Sequence, residues 1–410
     1  MELTFWLAIG LVVYVYAGYP VLLRVWARAA RTRVAGGAAL DCARARAGRH
    51  PPSAGRYLPL PGVSIVIAAH NEGLRLAARL DNLRALDYPP ARRQIIVVSD
   101  GSTDDTAAVV GRCGPSTELV EVPRSGKALA LNAGVARAKF DIVVFADARQ
   151  RFAPDALRHL VAPFVDPQIG GVTGELLLDC ETALFANRRT QANRRRTPAD
   201  GHGAVAHERR SLADRRLALE STIGEGVGLY WRYEKHLRRL ESAVGSTLGA
   251  TGAIYAIRRA LWSPLPADTI LDDVLTPMRV VMAGFRVVFD ERARAFDRAA
   301  ADADGEARRK IRTLAGNFQI LWLEPRLLAP WRNPVWFQYA SHKLGRLVVP
   351  YALLAAFAAS LALAPQNTLY SAALAGEVAF LVLAGYGALI EHRVRMPELN
   401  EGGVPARRPA

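Results

Sequence analysis

Three short β-rich runs between Val63 and Asp147 constrain this chain more than any other feature. The first is Val63-Ser-Ile-Val-Ile-Ala-Ala-His-Asn-Glu72, the second Gln94-Ile-Ile-Val-Val-Ser-Asp-Gly-Ser102, and the third Asp141-Ile-Val-Val-Phe-Ala-Asp147. Each ends on polar or acidic residues and helical patterns separate them, which is how a parallel sheet built from βαβ units reads. In such sheets ligands sit at the carboxyl ends of the strands, so the three polar tips are expected to share one crevice. Neither a G-x-G-x-x-G turn nor a Walker loop accompanies them. Carboxylates suit ribose hydroxyls, base N–H groups and a hard divalent cation, whereas they repel bare phosphate. A nucleotide diphosphate bridged by a metal ion meets both conditions.

Six elements carry a resemblance: Ala68-Ala-His-Asn-Glu72, Asp100-Gly-Ser-Thr-Asp104, Gly126-Lys-Ala-Leu-Ala-Leu-Asn132, Asp147-Ala-Arg149, Asp272-Asp273 and Arg309-Lys-Ile-Arg-Thr313. In this order they resemble the inverting family 2 glycosyltransferases of the GT-A fold, over residues 60 to 345 apart from one stretch. They are most similar to the membrane-bound branch that holds the cellulose, hyaluronan and poly-N-acetylglucosamine synthases. The resemblance implies an α/β fold with a Rossmann-like, mostly parallel sheet and a nucleotide-diphosphate sugar as donor. It implies donor contacts from Glu72, Asp100, Lys127, Asp147, Arg312 and the position of Arg149, an acceptor side near Gly174, Glu175, Thr251 and Gly252, and Mg²⁺ or Mn²⁺ on Asp147.

Local chemistry bears on these residues independently. Lys127 opens an Ala-rich helix, where the dipole disfavours a cation, so a neighbouring anion is expected to hold it there. Asp104 and Asp105 stand at a helix start and read as capping groups. Asp272-Asp273 supply the general base that must take the acceptor's proton, although two acids at a helix start also suit capping. Spacing to Gly284-Phe-Arg286 matches Asp273 to the family's base and Asp272 to its preceding acid.

The chain also departs from the pattern. Arg149 stands where the resemblance places a second acid, which removes a metal ligand and adds a fixed cation. Arg309 and Thr313 replace a Gln and a Trp; the Trp normally lies beneath the acceptor sugar, so single transfer is favoured over chain lengthening. The readings left open are a processive polysaccharide synthase and an inactive scaffold subunit of a glycan assembly or export complex.

Apolar residues make up 51% of the chain, which leaves room for membrane segments beside a core. Leu3 to Leu23 is uncharged and about as long as the ~20 residues that cross a bilayer, with no basic n-region before it. Leu347 to Ala364 and Leu369 to Ile390 flank a short Pro365-Gln-Asn-Thr368 turn and predict a helical hairpin. Basic residues follow the first and last runs, so both flanks are expected on the cytoplasmic side of the plasma (inner) membrane, with the sugar-transferring domain cytosolic. The expected organisation is a membrane helix over 1–26, a basic linker over 27–59, the GT-A domain over 60–320, an interfacial segment over 321–345, the hairpin over 346–391 and a cytosolic tail over 392–410. Within the GT-A domain, the arginine-rich, core-poor stretch 183–220 reads as a flexible insertion.

A net charge of +15 fits a membrane surface, and no basic groove with aromatic platforms points to nucleic acid. Cys42, Cys113 and Cys180 are too widely spaced for a metal site or a disulfide framework. The expected acceptor is lipid-linked or a cell-surface glycan, met at the membrane, with a glycan export partner in view.

Overall fold

A computed structural model describes residues 1–30, 60–114, 116–178, 230–297 and 303–394. The linker beyond residue 30, the arginine-rich stretch 183–220, the tail beyond 394, Cys42 and Cys180 lie outside the described residues. The chain divides into two units, residues 20–343 and residues 1–19 with 344–410.

The larger unit is an α/β layered fold. Its strands are β1 (Val63–Ala69), β2 (Arg93–Asp100), β3 (Thr117–Val122), β4 (Ile142–Ala146), the two-residue β5 (Arg151–Phe152), β6 (Ile169–Leu178), β7 (Ile254–Arg258) and β8 (Arg286–Asp297). They form one sheet in the order β3-β2-β1-β4-β7-β6-β8-β5. The first four are parallel, with Val63 opposite both Arg93 and Ile142. β7 runs antiparallel to both β4 and β6, and β6 runs parallel to β8. The near-continuous apolar content of β1, β2 and β4 follows from burial on both faces, since helices cover a parallel sheet on either side.

Those helices obey the 3.6 period. α1 (Glu2–Ala30) belongs to the membrane-type helices below. α2 (Gly73–Arg84) turns Leu76, Leu80 and Leu83 onto the sheet, each fully buried, and each contributes about 1.5–3 kcal/mol of apolar burial. α3 spans Thr106–Arg112, α4 Lys127–Ala136 and α5 Ala156–Val161. A helix over 230–244 is α6; α7 (Asp272–Met282) and α8 (Ala303–Leu323) follow. The run ending at Tyr88-Pro89-Pro90 halts α2 as its sequence predicts, and the Tyr88 hydroxyl donates to the Pro61 carbonyl just before β1.

In the smaller unit, α1 packs beside α9 (Trp336–Leu363), and α10 (Thr368–Val394) follows a tight turn. Phe5 meets Ala359 and Leu363, and its ring meets that of Tyr370 edge-on at 5.1 Å. Ala8 packs on Ala352 and Ala356, small residues that let the two helices approach closely. Ser371 Oγ donates to the Ala364 carbonyl and Asn367 Oδ1 accepts from Leu369 N, which closes the turn at Pro365–Thr368. Among the described residues, three helices, Glu2–Ala30, Trp336–Leu363 and Thr368–Gly387, are long and apolar enough to cross a membrane. The second begins at Trp336, so its helix takes in part of the segment that the sequence assigns to an interface.

Candidate active site

The ends of β1, β2 and β4 meet as expected. His70 Nδ1 lies 2.8 Å from the Asp100 carbonyl. Asn71, in the left-handed region at φ 55°, accepts from Thr103 N at 2.8 Å through its side-chain oxygen. The Asp104 carboxylate accepts from Gly73 N, Thr106 N and Thr106 Oγ1, so it fastens the starts of α2 and α3, the capping role that its position suggested. Glu72 pairs with Arg75 at the rim, 3.1 Å away.

Asp100, expected at the donor, also has a structural role. Its buried carboxylate accepts from Ser125 N at 2.6 Å, Ser125 Oγ at 3.2 Å and Gly126 N at 3.0 Å. Arg124 reaches its other side at 3.1 Å. Gly101 takes φ +59° against this loop, where a Cβ would stand 2.7 Å from Arg124 N. Asp100 therefore anchors the turn that begins α4, and through it sets the position of Lys127.

Lys127 is where the long-range structure converges. Its ammonium lies 3.4 Å from Asp147 Oδ1 and 3.2 Å from Asp272 Oδ1. Burial opposes its charge, yet Asp272, Asp147 and Asp273 together hold its pKa well above the usual lysine value. The anion expected at this helix start is thus partly the protein's own pair of carboxylates. Asp272 is buried and also lies 3.5 Å from the Tyr255 hydroxyl. Tyr255 faces Phe145 across the β4–β7 pair and stacks on it at 4.5 Å. Burial, with Asp272 and Asp273 nearby, pushes its phenol well above its usual range.

The two adjacent acids do not cap α7. Leu271 occupies the N-cap position, no side-chain cap bond forms, and both acids lie in the first helical turn. Pro277 has no N–H to give, so the Asp273 carbonyl lacks its partner one turn on and instead accepts from Ala250 N at 2.7 Å. The loop before β7 is thereby tied to the acid. Gly252 follows from this closeness: a Cβ there would stand 2.9 Å from Asp273 Oδ2. Burial first, then Asp272, pushes the Asp273 carboxyl up to about 6, against the opposing pull of Lys127 and Lys343.

Other expected positions are placed unevenly. Gly252 faces Asp273, but Gly174, Glu175 and Thr251 belong to the packing of the sheet. A Cβ on Gly174 would meet the Ala293 carbonyl at 2.3 Å. Glu175 pairs with Lys235, and Thr251 N donates to Thr173 Oγ1 at 2.8 Å. In this structure these three groups are occupied by strand packing and pairing. Arg149 turns to Asp297 at the end of β8, 3.1 Å away, with Gln150 also donating to that carboxylate. Arg312 reaches the Ile270 carbonyl at 3.5 Å, beside the segment that leads to the acids.

The resemblance in sequence implies a divalent cation at Asp147. Among the described residues no group of three or more His, Cys, Asp and Glu side chains is placed to hold one. Asp147 itself is about a third exposed and meets Lys127 through Oδ1. One exposed carboxylate fits a cation shared with phosphate oxygens, the usual arrangement for Mg²⁺.

Sequence reasoning passed over Tyr255, Asp297 and Arg79. Tyr255 is one apolar-flanked tyrosine in a strand, and Asp297 closes a strand that nothing local marks as functional. Arg79, a buried arginine on α2, lies over the Phe152 ring at 4.1 Å, with Nε and Nη2 lacking hydrogen-bond partners. Burial pulls its pKa down to about 9, opposed by Asp147. Its only signal in the sequence is an arginine on the apolar stripe of α2.

Residues 64–216 match the family described as Glycosyl transferase family 2. A stretch of 135 residues is 34% identical to the poly-β-1,6-N-acetyl-D-glucosamine synthase of Staphylococcus aureus, covering 32% of each chain. Another of 224 residues is 28% identical to the β-monoglucosyldiacylglycerol synthase of Synechocystis, covering 50% of this chain and 46% of that one. The chain thus spans about a third to a half of the length of these curated relatives. Among solved structures, a mannosyltransferase from Pyrobaculum calidifontis, described in complex with GDP-Man and Mn²⁺, superposes with a TM-score of 0.57 at 25% identity, covering 88% of this chain and 92% of that one.

Proposed function

We propose that this chain, which carries a family 2 glycosyltransferase domain of GT-A fold, is a membrane-anchored enzyme that moves a sugar from a nucleotide-diphosphate donor to a lipid-linked or cell-surface glycan acceptor with inversion. The observation that carries the reading is the convergence of Asp147, Asp272 and Asp273 on Lys127 at the carboxyl ends of the strands. Asp273, half-buried and with its pKa pushed up to about 6, is ionised at neutral pH yet basic enough to accept a proton, the poise a general base requires.

In this mechanism an acceptor hydroxyl approaches Asp273 from the side that Gly252 leaves open. Its oxygen forms the new bond to the anomeric carbon while Asp273 takes its proton. The bond from that carbon to the diphosphate breaks, and its electron pair leaves with the phosphate oxygen. Lys127, Arg149 and Arg312 supply positive charge on the leaving-group side, and Asp272 with Tyr255 holds Lys127 in place. Mg²⁺ or Mn²⁺, held by Asp147 with the diphosphate, would add Lewis-acid neutralisation of the departing charge. The three apolar helices support attachment to the inner membrane with the catalytic domain on the cytosolic side, where donors of this class are made.

A processive reading draws support from the named activity of the Staphylococcus aureus relative. Against it, Thr313 offers no ring to an acceptor, and its hydroxyl donates to Arg309 in its own helix at 2.9 Å. An inactive scaffold within a glycan assembly complex would draw on Arg149 being paired with Asp297.

The test is turnover of a panel of UDP- and GDP-sugars by the full chain in detergent, with and without Mn²⁺ or Mg²⁺, beside Asp273→Asn. Release of nucleotide from one donor that disappears in the variant supports the enzyme reading, and products of a single added sugar separate it from the processive one. Binding or turnover of none, by folded protein, favours the scaffold.

A further inference from the structure

The acids of α7 are seated from outside by α8. Arg312, Gly316 and Gln319 recur at i, i+4 and i+7 and so share one face of that helix. Gln319 Oε1 accepts from Ile270 N at 2.9 Å, and Gln319 Nε2 donates to the Asp268 carbonyl at 2.8 Å. Arg312 reaches the Ile270 carbonyl at 3.5 Å. At Gly316 the two segments are nearly in contact: a Cβ would stand 2.4 Å from Leu271 Cγ, 2.8 Å from its Cδ1 and 3.0 Å from Ile270 Cγ2.

Leu271 is the residue that starts α7. Its carbonyl accepts from Val274 N at 3.2 Å and from Leu275 N at 3.0 Å, so its position fixes the first turn, and Asp272 and Asp273 are in that turn. Elsewhere on the α8 surface, Ile311, Leu314, Phe318 and Trp322 are all exposed. The inner face therefore makes a specific backbone clamp where a purely apolar contact would have sufficed to bury the helix.

We propose that Gln319 and Gly316 are positioning residues for the transfer reaction: they fix the Asp268–Leu271 segment and with it the place of the base. The inference rests on the reading of Asp273 as the general base. A displacement of about 1 Å at a reacting group reduces turnover on the order of 100-fold, so a loosened clamp affects the chemical step while leaving nucleotide binding intact.

The experiment uses the full chain in detergent and the variants Gln319→Leu, Gly316→Ala and Gly316→Ala with Leu271→Ala. Three quantities are read: turnover of UDP-GlcNAc, UDP-Glc and GDP-Man across pH, affinity for UDP and GDP, and amide exchange of the 268–275 segment, which needs no donor. The expected result is kcat at least 10-fold lower, a displaced acidic limb of the pH profile, nucleotide affinity within 2-fold of the parent, and faster exchange over 268–275. Partial recovery is expected in the double variant, where the clashing Leu271 atoms are gone. Unchanged exchange and unchanged kcat overturn the proposal, as does a parallel fall in kcat, nucleotide affinity and melting temperature. Full turnover by Asp273→Asn instead sinks the general-base reading, and the exchange data still decide whether the clamp holds the segment.

Discussion

Asp273→Asn should make the protein more stable at neutral pH while it abolishes transfer. Asn keeps the shape and removes only the charge. The Asp273 carboxyl rises from 3.8 to about 6 in the folded chain, and each unit corresponds to about 1.4 kcal/mol. The sign follows from proton binding: between these values the folded state holds a proton that the unfolded state has lost, so stability declines as pH rises through this window and levels off above it. At pH 7.5 the acid is ionised against burial and Asp272, with Lys127 and Lys343 only partly offsetting them, so the variant is relieved of up to about 3 kcal/mol. Below about pH 4 both proteins are neutral there and the gain vanishes.

The assay is thermal unfolding of the full chain in detergent at pH 4 and 7.5, run beside donor turnover. A gain of this size corresponds to a rise on the order of 5–10 °C at the higher pH for a domain of this length. An unchanged or lowered midpoint at pH 7.5 would refute the claim that the acid is ionised at a structural penalty. Retained turnover would refute its role as the base.

Three further outcomes follow from the same geometry. Gly252→Ala pushes a methyl group to within 2.9 Å of Asp273 Oδ2, so kcat should fall at least about 10-fold with UDP or GDP affinity kept, measured by turnover and calorimetry. Lys127→Met leaves Asp147 and Asp272 without their shared cation; because Lys127 and Asp147 are partly exposed, it should lower stability by about 1–2 kcal/mol and abolish nucleotide binding, read by thermal shift with and without nucleotide. Gly101→Ala meets both a left-handed backbone and the Arg124 amide at 2.7 Å, so it should cost about 1–3 kcal/mol and weaken nucleotide binding through the loop that Asp100 anchors; a wild-type midpoint would rule out that strain.

What the sequence determined by itself was whatever repeats locally. The alternation of β-rich runs with helical spacing announced the parallel strands, and polar residues at each strand end announced a shared crevice, because strand ends on a parallel sheet lie on one side. Apolar runs of bilayer length likewise announced the long helices, since length and composition are properties of the segment alone. Lys127 could be flagged as anomalous at a helix start, though not assigned its partners.

Only the tertiary structure decided those partners. Asp272 reaches Lys127 because β7 inserts antiparallel beside β4 and α7 begins under its end, a pairing that no local pattern encodes. The same holds for Arg149, which meets Asp297 because β5, two residues on, pairs with the end of β8, and for Asp100, whose oxygens are taken by backbone N–H groups of a loop that lies beside it in space but not in sequence. Glu175 and Thr251 carry the motif of site residues, and only the fold shows that Lys235 and Thr173 are their neighbours, because a polar side chain does not reveal its partner in the sequence. Gly316 and Gln319 carried no mark at all: a glycine matters where another segment approaches to within contact distance, and that approach exists only once the chain has folded.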